Sequence, residues 1–350
     1  MSETTKQCNL FDVKNNYILK LIFNNFDRKY MLEIIRYNKS IQNRLDKDIK
    51  DYQKVFGKIE IEITPVINIY GKFKFINYNK KNESFYHIYF NENKDEEKKN
   101  VITQVDKVKK IKVIIDHQIQ SLKELFKDCI CIEKIHFVKF SRTDVKYMND
   151  IFSGCVCLKE LKFLKFKTNN ICNMSFMFNG CSSLEELDLT NFNTNNVINM
   201  SHMFSGCSSL KYINISNFNT NKVTNMNNMF YRCVLLKKLN LSSFDTINVI
   251  DMNGMFYGCS SLEELNLSHF YTFSLTDMSH MFHGCSSLKV LNLSNFNTED
   301  VRDMRDIFEG CSSLVELNIS NFNINHAINI MEKIIELSSL KVLNHPNALG

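Results

Sequence analysis

Cysteine recurs at Cys129, Cys155, Cys181, Cys207, Cys233, Cys259, Cys285 and Cys311, and every step is 26 residues with no insertion. A register held that long means one structural unit used again and again. Two further columns keep the step: Phe126, Phe152, Phe178, Phe204, Phe230, Phe256, Phe282 and Phe308, and Leu158, Leu184, Leu210, Leu236, Leu262, Leu288, Leu314 and Leu340. A ninth, degraded unit places Ile334 in the phenylalanine column and Leu337 in the cysteine column. One such unit is too small to cover its own apolar columns, so stability has to come from stacking on its neighbours. The chain must therefore form a solenoid with a continuous core.

Two periodicities alternate within a unit. Val197, Met200, Met203, Phe204 and Cys207 fall on one stripe of a helix. Leu210, Ile213, Ile215 and Phe218 then approach the alternation of a short strand. Gly206 suits the bend between the two. Thr194, Thr220, Thr246, Thr272 and Thr298 each precede the helical stripe and read as N-caps, in preference to an ordered surface array, with Glu299 and Asp300 at the positive end of the last helix dipole. The expected fold class is α/β: a solenoid of about nine coils over 111–345, each with a parallel strand and a short helix. At about 4.8 Å per strand the sheet would be roughly 40 Å long.

The repeated pattern LxxLxLSxFxTxxVxxMxxMFxGCSS, over about 125–345, resembles the BspA-like leucine-rich repeat family. The resemblance implies a leucine-rich-repeat solenoid with a non-enzymatic, adhesion-like role at a cell surface. Ordinary leucine-rich repeats carry asparagine after the strand; here Phe192, Phe218, Phe244, Phe270, Phe296 and Phe322 take that place. An aromatic spine inside the turn is expected instead of an asparagine ladder.

Residues 1–110 do not repeat and read as a small α+β domain. Ile18, Leu21, Ile22, Met31, Leu32 and Ile35 mark helices, and KIEIEI, GKFKFINY and SFYHIYF alternate as strands before a charged loop at 91–100. From 111 the chain merges into the repeat register through Ile119, Leu122, Leu125 and Phe126. One reading of this segment is a cap on the open end of the solenoid. The other is an adaptor, because residues 16–45 weakly resemble an F-box at Leu21, Ile22, Phe23 and Leu32. That resemblance implies recruitment of a ubiquitin-ligase scaffold while the repeats hold substrate. A tail follows at 346–350, and the coil before Pro346 offers a surface for self-association.

Net charge is +5, with the basic excess in the non-repeating part. Lys107, Lys109, Lys110 and Lys112 alternate with apolar residues as on a solvated strand, so nucleic acid is disfavoured as a partner. The sequence holds no phosphate loop, HExxH or GxSxG motif, and the expectation is no enzyme and no cofactor. Cys129 with Cys131 and Cys155 with Cys157 fail as a zinc set, because one member of each pair belongs to the inward column and later units put Ser183 and Ser209 at the other position. A ladder of small buried thiols fits a reducing compartment. Together with the lack of an apolar leader this points to the cytoplasm; the family resemblance points to the cell surface. Asn214, Asn240, Asn266, Asn292 and Asn318 each begin an N-x-S sequon, and glycans on adjacent strands would collide.

The outward face of the strands is the place for recognition. One column runs Lys134, Glu160, Glu186, Tyr212, Lys238, Glu264, Val290 and Glu316, and it alone varies enough to encode a partner. The expected partner-binding residues are Glu186, Tyr212, Lys238 and Glu264 with Asn214, Asn240, Asn266 and Asn292, holding a protein or glycan. The asparagine and serine columns are read in preference as side-chain ladders that stiffen the sheet.

Overall fold

The computed structural model describes residues 13–25, 34, 38–45, 57–66 and 70–345, apart from 141, 143, 165, 167, 324–333 and 335. Two helices come first, α1 (Asn16–Asn25) and α2 (Lys39–Leu45). Asn15 and Asn38 open them as N-caps, accepting the backbone N–H of Tyr17 at 2.8 Å and of Ile41 at 3.0 Å. Leu19 and Phe23 of α1 are buried, as are Ile41 and Leu45 of α2. The tail 346–350 and Leu32 lie outside the described residues.

The alternating segments form strands β1 (Ile59–Pro65), β2 (Lys72–Lys74) and β3 (Tyr86–Phe90), joined by β4 (Val101–Thr103) and β5 (Ile111–Ile115). Ile59, Ile61 and Ile63 alternate inward from β1, and Ile111, Val113 and Ile115 do the same from β5. β1 pairs antiparallel with β5 on one side and with β6 (Ile132–Lys139) on the other. β6 in turn pairs parallel with β7 (Glu160–Phe163), so one sheet, ordered β3-β5-β1-β6-β7, passes from the N-terminal part into the first coils. The Asn77 amide donates to the carbonyls of Glu124 at 3.1 Å and Lys127 at 2.7 Å, and the buried Arg142 guanidinium reaches the carbonyls of Asp116 and His117. One apolar cluster runs without a break from Ile59 to Ile334.

The coils stack as the repeat requires. The rings of Phe126, Phe152, Phe178, Phe204, Phe230, Phe256, Phe282 and Phe308 form a parallel column whose successive centroids are 5.4–6.1 Å apart. Phe192, Phe218, Phe244, Phe270, Phe296 and Phe322 are buried as the expected second spine. Each column cysteine from Cys155 to Cys311 donates its thiol to the carbonyl of a column phenylalanine one coil back, as Cys207 does to Phe178 at 3.2 Å. That gives the column a reason to be cysteine: a small hydrophobe with a weak donor.

The short helix expected in each coil is replaced by a run of turns. The N–H groups of Met200, His202, Phe204 and Gly206 donate to carbonyls of the next coil, on Asn225, Asn227, Met229 and Tyr231, at 2.7–3.0 Å. Those of Met203, Ser205 and Cys207 donate three residues back, at 3.2 Å. An α-helix would direct all of them to the fourth residue back. It would also forbid the left-handed residues found here, among them His202 at φ 54° and Gly206 at φ 72°. For a residue other than glycine that conformation costs roughly 1–2 kcal/mol, and the bonds between coils offset it. A Cβ on Gly206 would also come within 3.4 Å of the backbone of Gly180 one coil back, at the edge of ordinary contact.

The threonines are not N-caps either. They are buried, and each links two coils: the Thr220 hydroxyl donates to the Asp245 carbonyl at 2.7 Å and accepts the Asp245 N–H at 2.8 Å. Thr194 does the same with Asn219, at 2.9 and 2.8 Å.

The unbroken sheet of strands is also corrected. Beyond β7 the strand face pairs in pieces: β8 (Glu186–Asp188) with β9 (Tyr212–Asn214), a single bridge Lys238–Glu264, then β10 (Val290–Asn292), β11 (Glu316–Asn318) and β12 (Val342–Asn344). The unbroken ladder lies on the turn side, where parallel bridges step through Ser121, Tyr147, Asn173, Asn199, Asn225, Asp251, Asp277 and Asp303.

Candidate functional site

The strand face is built by three-residue strands whose middle residue turns inward. Leu187, Ile213, Leu291 and Leu317 are buried, which forces their neighbours outward. Parallel register then sets Glu186 beside Tyr212, Lys238 beside Glu264, and Val290 beside Glu316. Tyr212 is 55% exposed and Val290 50%. Lys238 and Glu264 form an ion pair at 3.3 Å, both side chains largely in solvent. Residues one position earlier pair similarly, Lys211 with Glu185 at 2.7 Å and Lys237 with Glu263 at 3.5 Å. Nearer the N-terminal sheet Glu160 takes hydrogen bonds from Lys162 and from Lys134, which hold its carboxyl down at about 2. Glu186, Tyr212, Lys238 and Glu264 thus share one exposed column, and two of them are already paired with each other.

The asparagines of this face do not form the side-chain ladder. Asn214, Asn240, Asn266 and Asn292 turn Oδ1 onto the backbone N–H two residues on, at Ser216, Ser242, Ser268 and Ser294, over 3.0–3.4 Å. They end their strands as Asx turns. The amide ladder that stiffens the stack runs elsewhere: Nδ2 of Asn196, Asn217 and Asn248 donates to carbonyls of the preceding coil, on Asn169, Thr190 and Asn221, at 2.6–2.8 Å. Nothing in the spacing separates these two asparagine roles, because both positions face outward.

The thiols are arranged for packing. The described cysteines are free, and burial pushes the Cys207 and Cys259 thiols up to about 12. Cys131 donates to the carbonyl of Lys74 at 3.1 Å while Cys155 donates to that of Phe126, so the two suspected pairs face different partners. Among the described residues no three His, Cys, Asp or Glu side chains converge as metal ligands, and no helix is long and apolar enough to cross a membrane.

Two features went unread in the sequence. Tyr231, Tyr257 and His283 form a stacked column on the turn side, with centroids 4.8 and 4.5 Å apart, beside a notch at Gly254. Tyr271 and Phe273 stand exposed one coil further along. In both cases the available signal was a departure from the column: Tyr271 stands where five other coils have Asn193, Asn219, Asp245, Asn297 and Asn323.

No curated protein matches the chain. Among solved structures, the crystal structure of a TLR13–ssRNA13 complex is 19% identical over 61% of this chain and 32% of that one, with a TM-score of 0.27. An internalin (inlF) from Listeria monocytogenes is 17% identical over 60% of this chain and 66% of that one, with a TM-score of 0.23. The chain thus spans about a third of the first and just under two thirds of the second, and at these scores neither carries an argument. The match to a family is of another order, since it covers nearly every coil in two adjoining blocks, residues 120–239 and 236–344: the chain belongs to the family described as "Mycoplasma protein of unknown function, DUF285".

Proposed function

We propose that the chain is a non-enzymatic binding scaffold that holds a protein partner on its strand face, in the manner of a cell-surface adhesin of the leucine-rich-repeat type. The observation that carries this reading is the outward column Glu186, Tyr212, Lys238, Glu264 and Val290. It varies in charge and size from rung to rung, while the inward columns beside it hardly vary. Packing therefore does not dictate it. The interior of the coils is filled by Phe, Met, Cys and Leu, so chemistry with a partner belongs to the outer faces. An exposed pair such as Lys238–Glu264 contributes little to folding, roughly 0–1 kcal/mol, and is free to exchange its partner for one on a ligand.

The test is binding to immobilised extracellular-matrix proteins and to intact host cells. Wild type is compared with a variant carrying Tyr212→Ala, Lys238→Ala and Val290→Ala. Affinity should fall about ten-fold or more with the urea midpoint unchanged; binding that the triple variant leaves intact, or no binding by either protein, refutes the reading. A second reading, an adaptor that recruits through its N-terminal helices, is favoured by α1, where Tyr17 is 70% exposed beside the exposed Ile18. Tyr17→Ser with Ile18→Ser should then abolish co-purification of an intracellular partner.

A further inference from the structure

We propose that the corner of the coil at Tyr271 and Phe273, with the two coils that follow it, is a binding cleft for a neutral oligosaccharide, separate from the strand face. In four other coils the residue at the position of Tyr271 shapes the corner. Asn193, Asn219, Asp245 and Asn297 turn Oδ1 onto the backbone N–H two residues on, at 2.8–3.1 Å. Tyrosine has no atom for that bond, so this coil gives up the turn-closing hydrogen bond. The backbone stays regular all the same. Phe270 and Thr272 are buried in their columns, and the Thr272 hydroxyl still reaches the Asn297 carbonyl at 2.8 Å. Alternation therefore puts Tyr271 and Phe273 on the outside together, 50% and 57% exposed, with ring planes within 3° of parallel and centroids 6.4 Å apart. Two large apolar side chains are thus held in solvent at the expense of a local hydrogen bond, which folding alone does not explain.

What surrounds them identifies the class of ligand. A cleft of about 570 Å³ opens beside the rings, lined by amide side chains of the next two coils and by Glu299. That volume is within the roughly 300–1,000 Å³ of ligand pockets. The amides are held in place by the stack: Nδ2 of Asn295 donates to the Ser268 carbonyl, Nδ2 of Asn321 to the Ser294 carbonyl, and Oδ1 of Asn297 accepts the Glu299 N–H at 2.8 Å. The other amide atom of each, Oδ1 of Asn295 and Asn321 and Nδ2 of Asn297, has no protein partner among the described residues. Fixed acceptors and a fixed donor beside parallel aromatic faces match a pyranose ring. Its C–H face carries slight positive charge and lies on the negative face of an aromatic ring. Its rim of hydroxyls both donates and accepts. Among the described residues Glu299 is the only charged one in the lining, which disfavours phosphate, sulfate and other anionic ligands.

The experiment is an array carrying neutral and anionic glycans, probed with the full chain and with Tyr271→Asn/Phe273→Asn. Both substitutions install residues that other coils carry at these positions, so the variant keeps the fold; Tyr271→Asn restores the lost turn and should hold or raise the denaturation midpoint. Wild type should bind neutral glycans, and the double variant should lose about ten-fold or more of that affinity, while Tyr212→Ala on the strand face should not affect it. That last arm separates this site from the strand-face reading, since either can fail alone. Absence of binding to neutral glycans, a preference for anionic ones, or glycan binding that survives the double variant overturns the proposal. So does a double variant that loses a protein ligand when wild type binds no glycan.

Discussion

Replacing Thr220 by valine keeps the shape of the side chain and removes only its hydroxyl, which separates the role the structure gives this column from the capping role. Thr220 is buried and serves two groups of the next coil at once, the carbonyl and the N–H of Asp245, at 2.7 and 2.8 Å. Valine leaves both unsatisfied in a dry interface, and each such group costs about 1–3 kcal/mol. The expected destabilisation is therefore roughly 2–6 kcal/mol. Thr220→Ser retains the hydroxyl and removes one methyl, which costs about 0.8 kcal/mol. Valine must then be worse than serine, although it preserves the volume that serine loses. The chain has no tryptophan, so urea denaturation is followed by far-UV circular dichroism, with midpoints compared at constant m. Hydrogen exchange at the Asp245 amide gives a local readout, and it should accelerate in Thr220→Val but not in Thr220→Ser. If valine proves as stable as serine, the threonine column does not link the coils and the account of the stack given above is wrong.

Phe256→Ala removes one ring from the middle of the stacked column, where its neighbours lie 5.9 and 5.7 Å away, and should cost about 3–5 kcal/mol by chemical denaturation. Gly206→Ala forces a Cβ onto a residue at φ 72° and against the backbone of Gly180, and should lower stability by about 1 kcal/mol or more, read as a shifted urea midpoint. Alkylation at pH ~8, mapped by mass spectrometry, should label the partly exposed Cys157 and Cys172 in the native protein and reach Cys207 and Cys259 only after denaturant is added. Burial raises those column thiols above their unfolded value, so their contribution to stability is complete below pH ~8.5 and is lost as pH climbs toward about 12. A midpoint that does not move between pH ~8 and ~11 would show that the thiols are not buried as described.

Much of the solenoid can be read from the chain alone. The 26-residue step, the burial of the phenylalanine, cysteine and leucine columns, and the second aromatic spine all follow from periodicity and from the need to stack. So do the strands β1 and β3, where KIEIEI and SFYHIYF alternate. The exposed column Glu186, Tyr212, Lys238 and Glu264 was equally legible as a face, since it alternates with buried leucines and isoleucines. Its internal pairing was not, because which side chains meet across coils depends on register and rotamer.

Tertiary structure decided where the backbone hydrogen bonds go. Inward residues every three or four positions fit both an α-helix and a run of turns, and the apolar pattern of Met200, Met203, Phe204 and Cys207 is blind to the difference. An N–H bonds well to one carbonyl at a time. Once the coils stack, the carbonyls of Asn225, Asn227, Met229 and Tyr231 lie within 2.7–3.0 Å of the N–H groups that a helix would have used. The same stacking brings Asp245 to Thr220 and turns an apparent cap into a link between coils. Sequence determined which residues face the core, because that depends on spacing along one chain; only the assembled stack determined what the threonines, the ladder asparagines and every second N–H of the turn run bond to, because those partners are about 25 residues away.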